Sequence, residues 1–123
     1  DLDDFKQIND QYGHAVGDNV LRMIAHSLKS ATRQPDTIIR WGGDEFLVIL
    51  PNVNENSIKT ICERIKLFIK RSYLMVDEGE LEVDASIGAT VAHVEDTIES
   101  VIERADKLMY VSKQSGKGKV TIG

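Results

Sequence analysis

Apolar residues recur along the chain with two periods, near 3.6 and 2, and the switches between them divide it into helices and short strands. Phe5, Ile8 and Tyr12 fall three and four residues apart, which predicts a short helix that Gly13-His14 breaks. A second helix carries Val20, Leu21, Ile24, Ala25 and Leu28 on one face, with Gly17 ahead of it and Asp18 standing where an N-cap should stand. Pro35-Asp36 ends that segment. Thr37 to Trp41 and Phe46 to Leu50 then predict two strands about a Gly-Gly turn, closed by Pro51-Asn52. Ile58, Ile61, Cys62, Ile65, Phe68 and Ile69 form a third helical stripe. The pattern turns around Asp77-Glu78-Gly79, and Leu81, Val83, Ala85 and Ile87 alternate as a strand. Asp96-Thr97-Ile98-Glu99 has capping-box spacing with Asp at its start. The helix it opens carries Ile98, Val101, Ile102, Ala105, Leu108 and Met109 inward, Gly116 ends it, and Lys119 to Ile122 predicts a last strand. Hairpins outnumber crossover units, which predicts an α+β fold on a mainly antiparallel sheet rather than a doubly wound one.

Size and charge narrow the function classes. A chain of 123 residues makes a single domain (1–123) able to bury a core without disulfide staples. Hydrophobic residues at 41% and charged ones at 28% set it apart from disordered and membrane-spanning chains. The lone cysteine, Cys62, excludes an intrachain disulfide, suits a reducing compartment, and reads as core packing from its place on an apolar stripe. A net charge of -5 argues against nucleic acid as a partner, although Val111 to Gly123 holds three lysines and no acid. No apolar run approaches the ~20 residues that cross a bilayer, and no signal peptide is present. A cytoplasmic domain is therefore expected. The chain opens at Asp1 without a methionine and inside what looks like a motif, so it reads as a fragment of a longer protein. Contact with the inner membrane would come only from parts of that protein beyond this chain.

Candidate chemistry begins with carboxylates. Asp1, Asp3 and Asp4 crowd the start, where the plain reading is a solvated loop with one helix cap. Asp44 and Glu45 follow Gly42-Gly43 at the predicted hairpin tip. A strand through Asp1 lying beside that hairpin would let Asp1 and Asp44 converge. Hard oxygen ligands suit Mg²⁺, which takes one or two carboxylates and completes its shell with waters and substrate phosphates. Glycines at the tip let a ligand approach the backbone and let the turn adopt positive φ. His14, His26 and His93 are scattered without zinc spacing, no Ser-His-Asp or Cys-His arrangement stands out, and Trp41 reads as packing.

The stretches "DLDDFKQINDQYGHAVGD" and "RWGGDEF", followed by "ASIGAT" and "ERADKLMYVSKQSGKGKV", resemble the GGDEF family of diguanylate cyclases over essentially the whole chain. The family's opening helix and the start of its first strand are missing. The resemblance implies a ferredoxin-like palm that condenses two GTP into cyclic di-GMP and pyrophosphate across a facing homodimer, with Mg²⁺ or Mn²⁺. It makes Asp1, Asp44 and the Leu2 carbonyl the metal ligands, and Glu45 the base or metal-assisting acid. Asn9 and Asp18 become the guanine-reading pair; for Asp18 an N-cap is the rival reading. Gly42 and Gly43 border the nucleotide, Phe5 and Lys6 belong to a phosphate-facing loop, and Lys113 and Lys117 are the phosphate cations.

At Lys117-Gly118 the chain departs from the family's usual Arg-Asn, which implies a looser grip on the triphosphate. Arg33-Gln34-Pro35-Asp36 matches the family's RxxD inhibitory site for product, with Arg64 as a secondary arginine from a neighbouring domain. A plain turn with Arg33 facing a helix dipole is the alternative there. Two rivals to an active cyclase remain. One is a catalytically silent GGDEF module that senses GTP or cyclic di-GMP or serves dimerisation. The other is a different palm-type nucleotidyl cyclase or polymerase, against which the guanine pair and RxxD argue.

Overall fold

Four helices and six short strands follow one another in the computed structural model, which describes all 123 residues. They are α1 (Phe5–Tyr12), α2 (His14–Ala31), β1 (Thr37–Arg40), β2 (Phe46–Ile49), α3 (Glu55–Arg71), β3 (Tyr73–Val76), β4 (Gly79–Glu82), β5 (Ile87–Ala89), α4 (Ile98–Gln114) and β6 (Val120–Ile122). The pairs β1–β2 and β3–β4 are antiparallel and β5–β6 is parallel, so the mainly antiparallel α+β expectation holds. An antiparallel bridge between Leu2 and Ala85 joins the chain start to this framework.

The helical stripes read from the sequence become the core. Val20, Leu21, Ile24 and Leu28 of α2 pack with Ile65 and Ile69 of α3 and with Leu2, Leu81, Val83 and Ala85. Ile58, Cys62 and Ala89 form a smaller cluster beside it. Burial first, and then the Glu63 charge, push the Cys62 thiol up to about 11, so it stays protonated and packs as an apolar group. Strand β5 touches both α3 and α4. A Cβ at Gly88 would lie 2.1 Å from the Ala105 carbonyl and from the Met109 nitrogen, so only glycine lets the α4 backbone lie on β5. Ser112, fully buried, donates to the Ile87 carbonyl at 2.9 Å and pairs with the Thr121 hydroxyl at 2.7 Å. These contacts fix the last turn of α4 against β5 and β6.

Several sequence expectations shift. Helix α2 starts at His14, with Gly13 at φ 90 as its N-cap, so Asp18 lies inside the helix and caps nothing. Glycine's access to positive φ sets that boundary. In α4 the N-cap is Thr97, which exchanges capping-box bonds with Ser100. Asp96 instead accepts from the His93 N–H and from both terminal nitrogens of Arg104. Ile98, at the first helical position, is 75% exposed rather than inward, and Trp41 is 57% exposed rather than packed. The strand expected through Leu81 to Ile87 is two, because Asp84 to Ser86 pair with the chain start between β4 and β5. Its partner β3 has apolar residues on both faces, with Tyr73 and Met75 exposed and Leu74 and Val76 against the core, so no alternation marks it.

Candidate active site

The segment Asp1 to Asp3 lies between residues 84–86 and the tip of the β1–β2 hairpin. On one side the Ser86 N–H donates to the Asp1 carbonyl at 2.9 Å and the Asp3 N–H to the Asp84 carbonyl at 2.9 Å. On the other, the Leu2 N–H donates to the Asp44 carbonyl at 3.0 Å, which brings the hairpin tip beside the chain start. Side chains of an extended segment alternate. Leu2, 2% exposed, enters the core, and Asp1 and Asp3 share the opposite side. The Leu2–Asp44 bond thus brings the backbone of the hairpin tip to the chain start.

Lys113, on the last turn of α4, is the cation beside Asp1 and Asp3. Its ammonium lies 2.8 Å from an Asp1 carboxylate oxygen and 2.7 Å from Asp3 Oδ1, and it donates to the Leu2 carbonyl at 3.0 Å. Lys117 pairs with Asp4 at 2.5 Å across the next turn. Asp3 is a buried hub rather than a loop acid or cap. It accepts from the Ser86 hydroxyl at 2.7 Å and the Gly118 N–H at 2.8 Å as well as from Lys113. Burial pushes the Asp3 carboxyl up, but hydrogen bonds from Lys113, Ser86 and Gly118 and the Lys113 charge outweigh it, and the net shift is downward.

The donor set fits a hard divalent cation. An ammonium already rests on the Asp1 carboxylate and the Leu2 carbonyl, two oxygen donors of the kind Mg²⁺ takes. No group of three or more His, Cys, Asp or Glu side chains gathers as a metal cage. Two carboxylates and a carbonyl would leave the remaining positions to water and ligand phosphates.

At the hairpin tip the Trp41 N–H donates to the Glu45 carbonyl at 2.8 Å, closing the turn over Gly42 to Asp44. Neither Gly42 nor Gly43 has positive φ, so that part of the sequence argument fails. Space, not φ, is what the two glycines provide. A Cβ at Gly42 would lie 3.0 Å from Glu45 Oε2, and one at Gly43 would meet nothing within 4 Å, leaving open approach to the backbone. Arg40, assigned no role from sequence, donates to the carbonyls of Gly42 at 3.2 Å and Gly43 at 2.7 Å and so holds the turn.

Helix α1 crosses α2 where Gly17 has no side chain. A Cβ there would sit 1.9 Å from Asn9 Oδ1, so Gly17 admits Asn9 to α2 one residue before Asp18, which is exposed. The signal for Gly17 was a glycine in an otherwise helical stretch. Asp4, at φ 59, precedes α1 without capping it through its side chain. The N–H groups of Phe5, Lys6 and Gln7 have no protein acceptor, and the Lys6 side chain is exposed. Far from this cluster, Arg33 meets Asp36 at 2.8 Å and donates to the Pro51 carbonyl at 2.7 Å. Arg64 of the same chain caps the Ala31 carbonyl at 2.7 Å, within electrostatic reach of Asp36.

Comparison with known proteins reaches the same place. The family described as "Diguanylate cyclase, GGDEF domain" matches residues 1–119. The chain belongs to the GGDEF family. Diguanylate cyclase A of Treponema denticola is 42% identical over 123 residues, which is 99% of this chain and 33% of that protein. Diguanylate cyclase SiaD of Pseudomonas aeruginosa, solved with its activator SiaC, superposes with a TM-score of 0.96 at 36% identity, covering 100% of this chain and 47% of that one. The GGDEF domain of DgcB from Caulobacter crescentus, solved with c-di-GMP, superposes at 0.92 with 32% identity, covering 99% of this chain and 73% of that one. The chain thus spans about a third of the curated relative's length. GGDEF diguanylate cyclases generally require a divalent metal, in keeping with the oxygen donors beside Lys113. No helix of this GGDEF domain is long and apolar enough to cross a membrane.

The Asp3 shift sets a pH dependence. Its folded pKa lies below the unfolded value of about 3.9, so its contribution to stability is present above that value and lost as pH falls through the folded one. Thermal unfolding followed by circular dichroism should show the midpoint falling on acidification below about pH 4. Asp3→Asn should flatten that dependence; an unchanged slope would show that Asp3 does not carry it.

Proposed function

We propose that this chain is the catalytic domain of a diguanylate cyclase, and that two facing copies condense two GTP into cyclic di-GMP. The single observation that supports the reading is the bond from the Leu2 N–H to the Asp44 carbonyl, which joins the backbone of the GGDEF turn to the chain start, where Lys113 meets Asp1. Asp1, Asp44 and the Leu2 carbonyl would hold Mg²⁺ or Mn²⁺. Such a cation offsets phosphate charge and lowers the pKa of the attacking hydroxyl.

Asn9 and Asp18 accept from the N1 and N2 donors of guanine, donors that adenine does not present together at that edge. The open side of Gly43 admits the nucleotide. The free N–H groups at the start of α1, with Phe5 and Lys6, face phosphate at a helix N-terminus. Lys113 and Lys117 supply the phosphate cations. The 3′-oxygen of one GTP attacks the α-phosphorus of the other. The bond from that phosphorus to the bridging β-phosphate oxygen breaks, and pyrophosphate leaves with the electron pair. Repeating the step in the opposite sense closes the ring. Glu45, folded over Gly42, is the carboxylate placed to take the hydroxyl proton or to assist the metal. Each chain holds one GTP, so a two-fold arrangement of copies is needed for turnover.

Product would bind the second site. The Arg33 guanidinium, oriented by Asp36 at the end of α2 and joined by Arg64 of a neighbouring domain, would suit the phosphates and the O6/N7 edge of a guanine dinucleotide. A silent nucleotide-sensing module is favoured by one observation, the capture of Lys117 by Asp4, which withholds a phosphate cation.

A protein carrying this domain, held as a dimer by a fused coiled coil, should make cyclic di-GMP from GTP and Mg²⁺ and nothing from ATP, read by chromatography. GTP binding without turnover would select the silent module, and equal use of ATP would refute the guanine assignment. For the second site, calorimetric titration of Arg33→Ala with cyclic di-GMP should show affinity reduced about tenfold or more, as loss of a charge-assisted contact requires. Undiminished affinity would remove Arg33 from that site.

A further inference from the structure

Asp3 is the acid that the proposed chemistry leaves without a task, and it is the only acid among the buried residues, at 7% exposure. Its two oxygens are divided between two elements. Oδ1 takes the Lys113 ammonium at 2.7 Å and the Ser86 hydroxyl at 2.7 Å, and Oδ2 takes the Gly118 N–H at 2.8 Å. One carboxylate therefore grips both the last turn of α4 and the turn that follows it. That second turn holds Lys117 at φ 62 and Gly118 at φ 59, so its shape depends on what anchors its N–H groups. Asp84 confines it from the other side, since a Cβ at Gly118 would lie 2.6 Å from Asp84 Oδ2. Ser86 is fully buried and points its hydroxyl at Asp3, so the carboxylate is itself held in place.

The partners of Lys113 are not equivalent. Besides Asp3, its ammonium rests on Asp1 and on the Leu2 carbonyl. Those two oxygens belong to the proposed cation site, and a divalent charge on them would repel the ammonium. Asp3 lies outside that donor set and is the partner that persists.

We propose that Asp3 is a positioning residue for the triphosphate: its buried carboxylate anchors Lys113 through one oxygen and the Lys117–Gly118 turn through the other, setting both phosphate cations at once. The proposal rests on the nucleotide-binding reading for its target, but the anchoring of the lysines is separable from it.

The test has two arms on the full chain. Acetylation of lysines, quantified by mass spectrometry without nucleotide, compares wild type with Asp3→Asn, using the exposed Lys59 and Lys70 as references. Lys113 should become several-fold more reactive, and Lys117, whose ammonium also rests on Asp4, should follow to a smaller extent, while the references stay level. Fluorescent GTP and GMP analogues then measure affinity. Asp3→Asn should weaken GTP about tenfold or more, the effect of losing a charge-assisted contact, and leave GMP nearly unchanged.

An unchanged lysine pattern, or equal weakening of GTP and GMP, overturns the proposal. Raised lysine reactivity in Asp3→Asn, together with a wild-type chain that binds no GTP, upholds the anchoring and overturns the nucleotide reading instead. Ser86→Ala removes one donor to Asp3 without adding bulk and should move Lys113 in the same direction to a smaller extent. Should Asp3→Asn fail to fold, an unchanged Lys113 in Ser86→Ala overturns the proposal.

Discussion

The bond from the Leu2 N–H to the Asp44 carbonyl, with the Leu2–Ala85 bridge opposite it, holds three residues of extended chain between the β1–β2 hairpin and the 84–86 segment. Everything chemical in the molecule depends on that placement. Alternation along so short a segment sends Leu2 into the core and leaves Asp1 and Asp3 on the other side. The core contact of Leu2 resists any slip of the segment, because a shift by one residue would put a carboxylate among Leu81, Val83 and Ala85. Hydrophobic packing thereby fixes where the charges stand.

Charge so concentrated needs compensation, and α4 supplies it. Gly88 allows the helix to approach β5 at backbone distance, and Ser112 ties its last turn to β5 and β6. Lys113, the next residue, therefore arrives at the acid cluster by construction rather than by side-chain flexibility. The same logic runs through α1 and α2, where the missing side chain of Gly17 admits Asn9. Close approach at a glycine occurs at both places.

The legible parts were those written in local periodicity. The stripes of α2 and α3 marked their buried faces, and the Gly-Gly pair marked the β1–β2 turn, because amphipathic spacing and turn chemistry act over a few residues. Strand β3 escaped because Tyr73 and Met75 are apolar yet exposed. The start of α2 escaped because positive φ at Gly13, rather than an Asp cap, ends one helix and begins the next. Family resemblance and chemistry together marked Asp1 and Asp44 as the candidate metal pair carried into the proposal. Asp3 was not legible, since three neighbouring acids look alike in sequence and its partners Ser86, Lys113 and Gly118 lie 83, 110 and 115 residues away. Arg40 and Gly17 were visible as residues, but their tasks exist only after the turn and the helix crossing have formed.

The most direct test of the account is whether the hairpin and the chain start form one cation site for a nucleotide. Electron paramagnetic resonance of Mn²⁺, titrated into the protein with a non-hydrolysable GTP analogue, reads that site without turnover. Bound Mn²⁺ should require the nucleotide in wild type and be lost in Asp1→Asn and in Asp44→Asn, while the fold persists by circular dichroism. Mn²⁺ and nucleotide binding together as well in both variants as in wild type would contradict it.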